Sequence, residues 1–138
     1  VDTLPDNFGS YAGDGLADSW QAQYFGLDNP AAAPALDPDG DGHINLFEFT
    51  AGLVPADPQS RFRLRFDPIS DQPAQMTIVF SPIVAGRNYT VEFTTSLTTG
   101  PWAPLPGTTQ SDNGNERTVT DPGATEPRKF YRVKVEKP

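Results

Sequence analysis

The first sixty residues contain no lysine or arginine, yet they carry ten acids: Asp2, Asp6, Asp14, Asp18, Asp28, Asp37, Asp39, Asp41, Glu48 and Asp57. That stretch holds a charge of −10. All ten basic residues fall between Arg61 and Lys137, where eight acids oppose them, which gives +2 there and −8 for the whole chain. Like charges with no internal counterion repel one another in a compact state. Such a segment stays disordered or folds around a cation. Leu16, Trp20, Tyr24, Phe25, Ile44, Leu46, Phe47, Phe49 and Leu53 sit among these acids, an apolar content that disordered acidic tails lack. A bound cation satisfies both observations.

The same balance excludes other roles. A net negative chain opposes the phosphate backbone, so no nucleic-acid partner is expected. No apolar run approaches the roughly 20 residues of a membrane-spanning helix, and the expectation is that no signal peptide remains in this sequence. The absence of cysteine removes disulfides, thiolate-bound zinc and a thiol nucleophile. A length of 138 residues suits one medium domain or two very small ones, and 15 prolines with 12 glycines point to short elements joined by turns. The chain reads as a monomer.

The cation has an obvious address in Asp37-Pro38-Asp39-Gly40-Asp41-Gly42-His43-Ile44-Asn45-Leu46-Phe47-Glu48. This segment satisfies the twelve-residue calcium-loop spacing at each diagnostic place. Asp37, Asp39 and Asp41 stand first, third and fifth, and Gly42 sixth, where the turn is sharp. His43, seventh, offers its backbone carbonyl. Asn45, ninth, binds directly or through water, and Glu48, twelfth, supplies two oxygens. Six or seven protein oxygens suit calcium, whereas magnesium keeps several waters. One histidine at a backbone-ligand place supplies no zinc site.

An earlier stretch, from Ser10 to Gln21, fits the same template less fully. Asp14 is fifth, Gly15 sixth and Asp18 ninth, but Ser10, Ala12 and Gln21 hold the first, third and twelfth places. It either binds a second, weak calcium through Asp14 and Asp18 or braces the later loop, with Ala17 opposite Ile44. Each loop leads into a short helix. The first runs from about Leu16 to Phe25 with Leu16, Trp20 and Tyr24 on one face and a stop at Gly26. The second starts near Asn45, with Asn45 and Glu48 at capping-box spacing, and turns Leu46, Phe49 and Leu53 inward. Pro30 and Pro34 predict an extended connector.

The residues Gly13-Asp14-Gly15-Leu16-Ala17-Asp18-Ser19-Trp20, Tyr24-Phe25-Gly26, the Asp37–Glu48 loop and Ala51-Gly52-Leu53-Val54-Pro55-Ala56-Asp57-Pro58 resemble a bacterial thrombospondin type 3 repeat region. They are also similar to dockerin calcium loops, which pair two such half-sites. This resemblance covers residues 1–60. It implies a calcium-rigidified segment of a larger secreted protein, beside surface or polysaccharide-degrading domains, and an extracellular location.

From Arg61 the periodicity becomes two. Arg61–Phe66 alternates charge with apolar side chains and predicts a half-buried strand. Met76–Phe80, Tyr89–Thr94, Arg117–Thr120 and Phe130–Val135 read likewise, separated by Pro and Gly clusters. About six strands without helices predict a small antiparallel β-sandwich over 61–138, so the chain is mainly β with a two-helix, EF-hand-like calcium segment in front. Ala85–Glu92 and Lys129–Val133 resemble the C-terminal fibronectin-III-like domains of secreted bacterial proteins, an immunoglobulin-like sandwich.

Catalysis is not expected: the single histidine sits in the metal loop, which leaves no Ser-His-Asp arrangement. Binding is the richer prospect. Trp102, in Gly100-Pro101-Trp102-Ala103-Pro104, either starts a strand and fills the core or presents its indole to a sugar ring. Tyr89, Tyr131 and Tyr11 would extend such a platform, with Asn113 and Asn115 as hydrogen-bonding groups. Arg61, Arg63 and Arg65 form a solvated face, pair with the acidic half or meet an anionic polysaccharide. Two functions follow: a calcium-stabilised, carbohydrate-binding accessory module, or a purely structural calcium-rigidified spacer or surface-attachment segment.

Overall fold

The computed structural model describes residues 14–27, 29–69, 71, 74–126 and 128–138. The chain divides into two compact units, Val1–Arg61 and Phe62–Pro138.

The front unit holds helix α1 (Asp18–Phe25), a 3-10 turn (Pro30–Ala32) and helix α2 (Asn45–Ala51). Helices this short do not persist in water by themselves, so aromatic packing has to hold them. Trp20 sets its ring edge-on to Tyr24 at 5.3 Å on its own helix and to Phe49 of α2 at 5.4 Å. It is thus packed between the two helices. Leu53 is buried beside α2, but Leu46 is 39% exposed, contrary to the inward face predicted for it. A stripe drawn at helical spacing over seven residues is too short to fix which edge faces inward.

The connector also departs from expectation. It curls into the 3-10 turn, opened by Pro30 and capped by Asn29, whose side-chain oxygen accepts from Ala31 N at 3.0 Å. Asn45 forms no capping box: Ile44 is the N-cap residue and no side chain caps α2. The Asn45 amide instead donates to Ala31 O at 2.8 Å and Ala33 O at 2.9 Å, while Gln21 Nε2 donates to Ala32 O at 3.0 Å. Three consecutive carbonyls need partners there, and satisfying them outweighs one helix cap.

Among the described residues, the rear unit is a β-sandwich of seven strands. Strands β1 (Arg63–Pro68), β2 (Met76–Ser81), β6 (Glu116–Asp121) and β5 (Thr109–Asn113) form one antiparallel sheet in the order β1-β2-β6-β5. Strands β4 (Ala103–Pro104), β3 (Asn88–Thr94) and β7 (Phe130–Glu136) form the other in the order β4-β3-β7. Alternation puts Ile78, Phe80 and Val119 of the first sheet against Val91 of the second, with Leu105 beside them. Tyr89, Phe93, Tyr131 and Val133 pack partly onto this core, in a β3–β7 register that sets Val91 opposite Val133 and Phe93 opposite Tyr131. The link around Gly86 therefore passes from one sheet to the other. Strand β1 is not half-buried as predicted. All six of its residues are exposed, because it is the outer strand of a four-stranded sheet facing one of three. Among the described residues no helix is long and apolar enough to cross a membrane.

A charged pair lies inside the sandwich. Asp121 accepts from Gly123 N at 2.9 Å and Tyr131 OH at 2.7 Å, and Lys129 Nζ lies 2.9 Å away. The two side chains are 2% and 9% exposed. Burial pushes the Asp121 carboxyl up, but Lys129, Tyr131 and Gly123 outweigh it and hold it below its ordinary value. Lys129 Nζ also donates to Gly123 O at 3.2 Å and sits 4.8 Å from the Phe93 ring centre. Removing one member strands the other charge, so Lys129→Met should destabilise the protein by about 3–5 kcal/mol at neutral pH. Urea titration measures this, and a loss under about 1 kcal/mol would show that Asp121 is compensated elsewhere.

Candidate metal centre

Between the 3-10 turn and the first turn of α2, the chain folds back on itself tightly enough to crowd its acids. One carboxylate oxygen from each of Asp37, Asp39, Asp41 and Glu48 lies within 4.8 Å of the others. The loop backbone orients the three aspartates. Asp37 accepts from Gly40 N and Gly42 N, both at 2.9 Å. Asp39 Oδ1 accepts from Asp41 N at 3.2 Å, and Asp41 Oδ1 accepts from His43 N at 2.9 Å. Each of the last two thereby turns its second oxygen inward. Glu48 comes from the first turn of α2 and is fully buried.

The inward oxygens have nothing from the protein to bind. Asp39 Oδ2, Asp41 Oδ2 and both oxygens of Glu48 are buried without a hydrogen-bond partner. Asn45 Oδ1 is in the same state, and its orientation is settled because the amide nitrogen spends its protons on Ala31 O and Ala33 O. A buried, unpaired carboxylate carries a desolvation penalty of several kcal/mol. The donor set is all hard oxygen, which suits a divalent cation of the calcium or magnesium kind and not a soft metal. These four carboxylates can hold a metal ion. His43 stacks its ring on Phe47 at 4.6 Å, so the side chain is engaged there.

The titration behaviour follows from the crowding. Burial first, then the charges of Asp39, Asp41 and Asp37, push the Glu48 carboxyl up to about 8. Burial likewise raises Asp39, assisted by Asp37 and Asp41 and opposed by the Asp41 N–H. Asp37 ends below its ordinary value, because the N–H groups of Gly42 and Gly40 and its other hydrogen bonds outweigh burial.

Asp14 and Asp18 stand apart from this group. Asp14 Oδ1 accepts from Leu16 N at 2.8 Å and its Oδ2 from Gln21 Nε2 at 3.2 Å, while Asp18 is buried at the start of α1. Ser10, Tyr11 and Ala12 lie outside the described residues. No backbone hydrogen bond joins Ala17 to Ile44; Asn45 N and Leu46 N instead donate to Leu36 O and Pro34 O.

No family model, curated protein or solved structure matches this chain. Its chemistry has to be read from its own side chains.

In the rear unit, Trp102 and Tyr131 meet at a hollow of about 380 Å³, with Phe66, Met76, Leu97 and Phe130 around them. Phe66 is 44% and Leu97 64% exposed. Trp102 is half-buried, and the Arg132 guanidinium covers its ring at 4.5 Å while pairing with Glu92 at 2.8 Å. Tyr89 is not part of that hollow. It packs against Phe62 and Phe80, and its hydroxyl accepts from Val84 N at 2.8 Å. Asn113 and Asn115 lie at the exposed turn between β5 and β6. Arg65 pairs with Asp67 and Glu116. Sequence reasoning missed Gln21 as a buried polar residue and Phe66 as a wall of the hollow. The twelfth-place alignment of Gln21 with Glu48 pointed to the former, and nothing local pointed to the latter.

Glu48 makes the ion-free protein sensitive to pH in a defined direction. Its carboxyl titrates at about 8 when folded against 4.5 ordinarily, so the folded state binds the extra proton in between. Stability of the ion-free protein should therefore be highest below about pH 4.5 for this group and fall as pH rises through about 8. Excess cation, which takes the carboxylate form, should flatten or reverse that slope. Thermal melts in chelator at about pH 5 and about pH 8 check the sign, and melting that rises with pH in chelator contradicts it.

Proposed function

We propose that this chain is a calcium-stabilised, non-catalytic accessory module of a secreted bacterial protein, whose sandwich binds polysaccharide. The observation that carries the calcium assignment is Glu48. It is fully buried, and both of its oxygens lack a hydrogen-bond partner while three aspartates face it. Two oxygens offered by one carboxylate, with Asn45 Oδ1 and the three aspartates, exceed the few protein ligands magnesium usually accepts and suit calcium. His43 adds its backbone carbonyl in this reading. A coordinatively filled ion serves folding, not catalysis, since no open position remains for substrate. Calcium is abundant outside cells, which is what supports an extracellular location.

The hollow at Trp102 and Tyr131 supports the carbohydrate reading. Ring surfaces there are partly exposed, and Lys129 and Arg132 beside them are already paired with Asp121 and Glu92. Such a surface suits a neutral sugar better than a charged one. One observation favours the alternative, a structural spacer: Arg132 already covers one face of the indole.

Calcium in about hundredfold excess over its dissociation constant should add about 2.7 kcal/mol to stability. Chelator should remove that increment, magnesium should restore it poorly, and Glu48→Gln should mimic the chelator. Equal melting with calcium and with chelator would overturn the assignment. Affinity electrophoresis through neutral and acidic plant and algal polysaccharides tests the second half. Retention lost in Trp102→Ala, with melting unchanged to within about 2 °C, supports binding at the hollow. No retention on any glycan leaves the spacer.

A further inference from the structure

Asn45 faces two ways. Its amide nitrogen donates to Ala31 O at 2.8 Å and Ala33 O at 2.9 Å, while its oxygen is buried without a hydrogen-bond partner. The nitrogen and oxygen of a carboxamide diverge from one carbon, so a nitrogen held by the connector leaves the oxygen turned away from it. Glu48 lies three residues on, on the same side of α2, and both of its oxygens are in the same state.

The connector depends on this corner in turn. Residues 30–36, Pro-Ala-Ala-Ala-Pro-Ala-Leu, have no polar side chain with which to hold themselves in place. Among the described residues, the donors that reach their carbonyls from outside are Gln21, Asn45 and Leu46. Beside the two bonds from the Asn45 amide, Asn45 N donates to Leu36 O at 2.8 Å and Leu46 N to Pro34 O at 3.0 Å. The first two residues of α2 thus carry most of the connection.

We propose that Asn45 couples the cation site to the connector: its oxygen joins Glu48 in facing the ion while its nitrogen fixes residues 30–36. The Ala31 and Ala33 carbonyls act as outer supports of the site, because they hold the amide with its oxygen and not its nitrogen toward the ion. With its oxygen on a cation, the amide becomes the stronger donor to both carbonyls. Without the ion, it gains by turning its buried oxygen out to water, and turning frees Ala31 O and Ala33 O. Ion binding and connector order are therefore linked, each favouring the other. The inference rests on the Asp37–Glu48 loop being the cation site, and calorimetry tests that premise separately.

Amide hydrogen exchange, followed residue by residue by NMR beside calorimetric titration with calcium, decides the matter. The Ala33 and Leu36 amides donate within the connector, to Pro30 O and Ala33 O, and so read its opening. In wild type, calcium at about a hundredfold over its dissociation constant should slow their exchange about a hundredfold relative to chelator. Asn45→Asp keeps an oxygen and loses the donors. It should still bind calcium and slow exchange at Glu48 N in α2, yet leave Ala33 and Leu36 within about threefold of their rates in chelator. Asn45→Ala lacks both groups and should bind calcium at least about tenfold more weakly. Wild type that binds calcium without slowing Ala33 and Leu36 would overturn the proposal and leave the cation reading standing. So would Asn45→Asp that protects the connector as wild type does or no longer binds calcium, and so would Asn45→Ala of undiminished affinity. Wild type binding no calcium would overturn the cation reading and this proposal with it.

Discussion

A carboxylate taken out of water without a partner is among the least tolerable groups a protein interior can contain, and the front unit buries several together. Glu48 sits behind Asp37, Asp39 and Asp41 with both oxygens unanswered. No lysine or arginine exists in the first sixty residues to answer them. The rest of the unit follows from that deficit. Among its described residues the unit sets against that repulsion two helices of eight and seven residues, a 3-10 turn and one tryptophan packed between the helices. In the proposed reading, a cation from solution supplies the missing counterion.

The rear unit solves the same problem internally. Asp121 is as deeply enclosed as Glu48, yet Lys129, the Tyr131 hydroxyl and the Gly123 N–H converge on it. Its carboxyl is accordingly held down, whereas that of Glu48 is driven up. One chain thus holds two buried acids with opposite titration behaviour, and the difference lies in where basic residues occur along the sequence. In the proposed reading, that contrast confines ion dependence to the front half of the chain.

Features set by short-range spacing were legible in the sequence. The aspartates at alternate places, the glycine after the third and the glutamate of the next helix define a loop whatever surrounds it, and the helix stop at Gly26 is equally local. The strands with clean alternation, β2, β3, β6 and β7, were legible for the same reason. Strand β5, Thr-Gln-Ser-Asp-Asn, was not, because a polar edge strand exposed on both faces has no apolar period to read. Strand β1 has the period but lacks the cover, which depends on the number of strands in the opposite sheet. Asn45 looked like a cap and turned out to be a clamp on Ala31 and Ala33, because those carbonyls approach it only once the chain has folded. The hollow at Trp102 gathers residues from β1, β2 and β7, so no stretch of sequence announces it.

The uneven placement of basic residues also maps onto the division of the chain at Arg61. A trypsin-like protease has no target anywhere in residues 1–60 and meets its first at that seam, on an exposed side chain. Digestion would leave the acidic half uncut, however far it had unfolded.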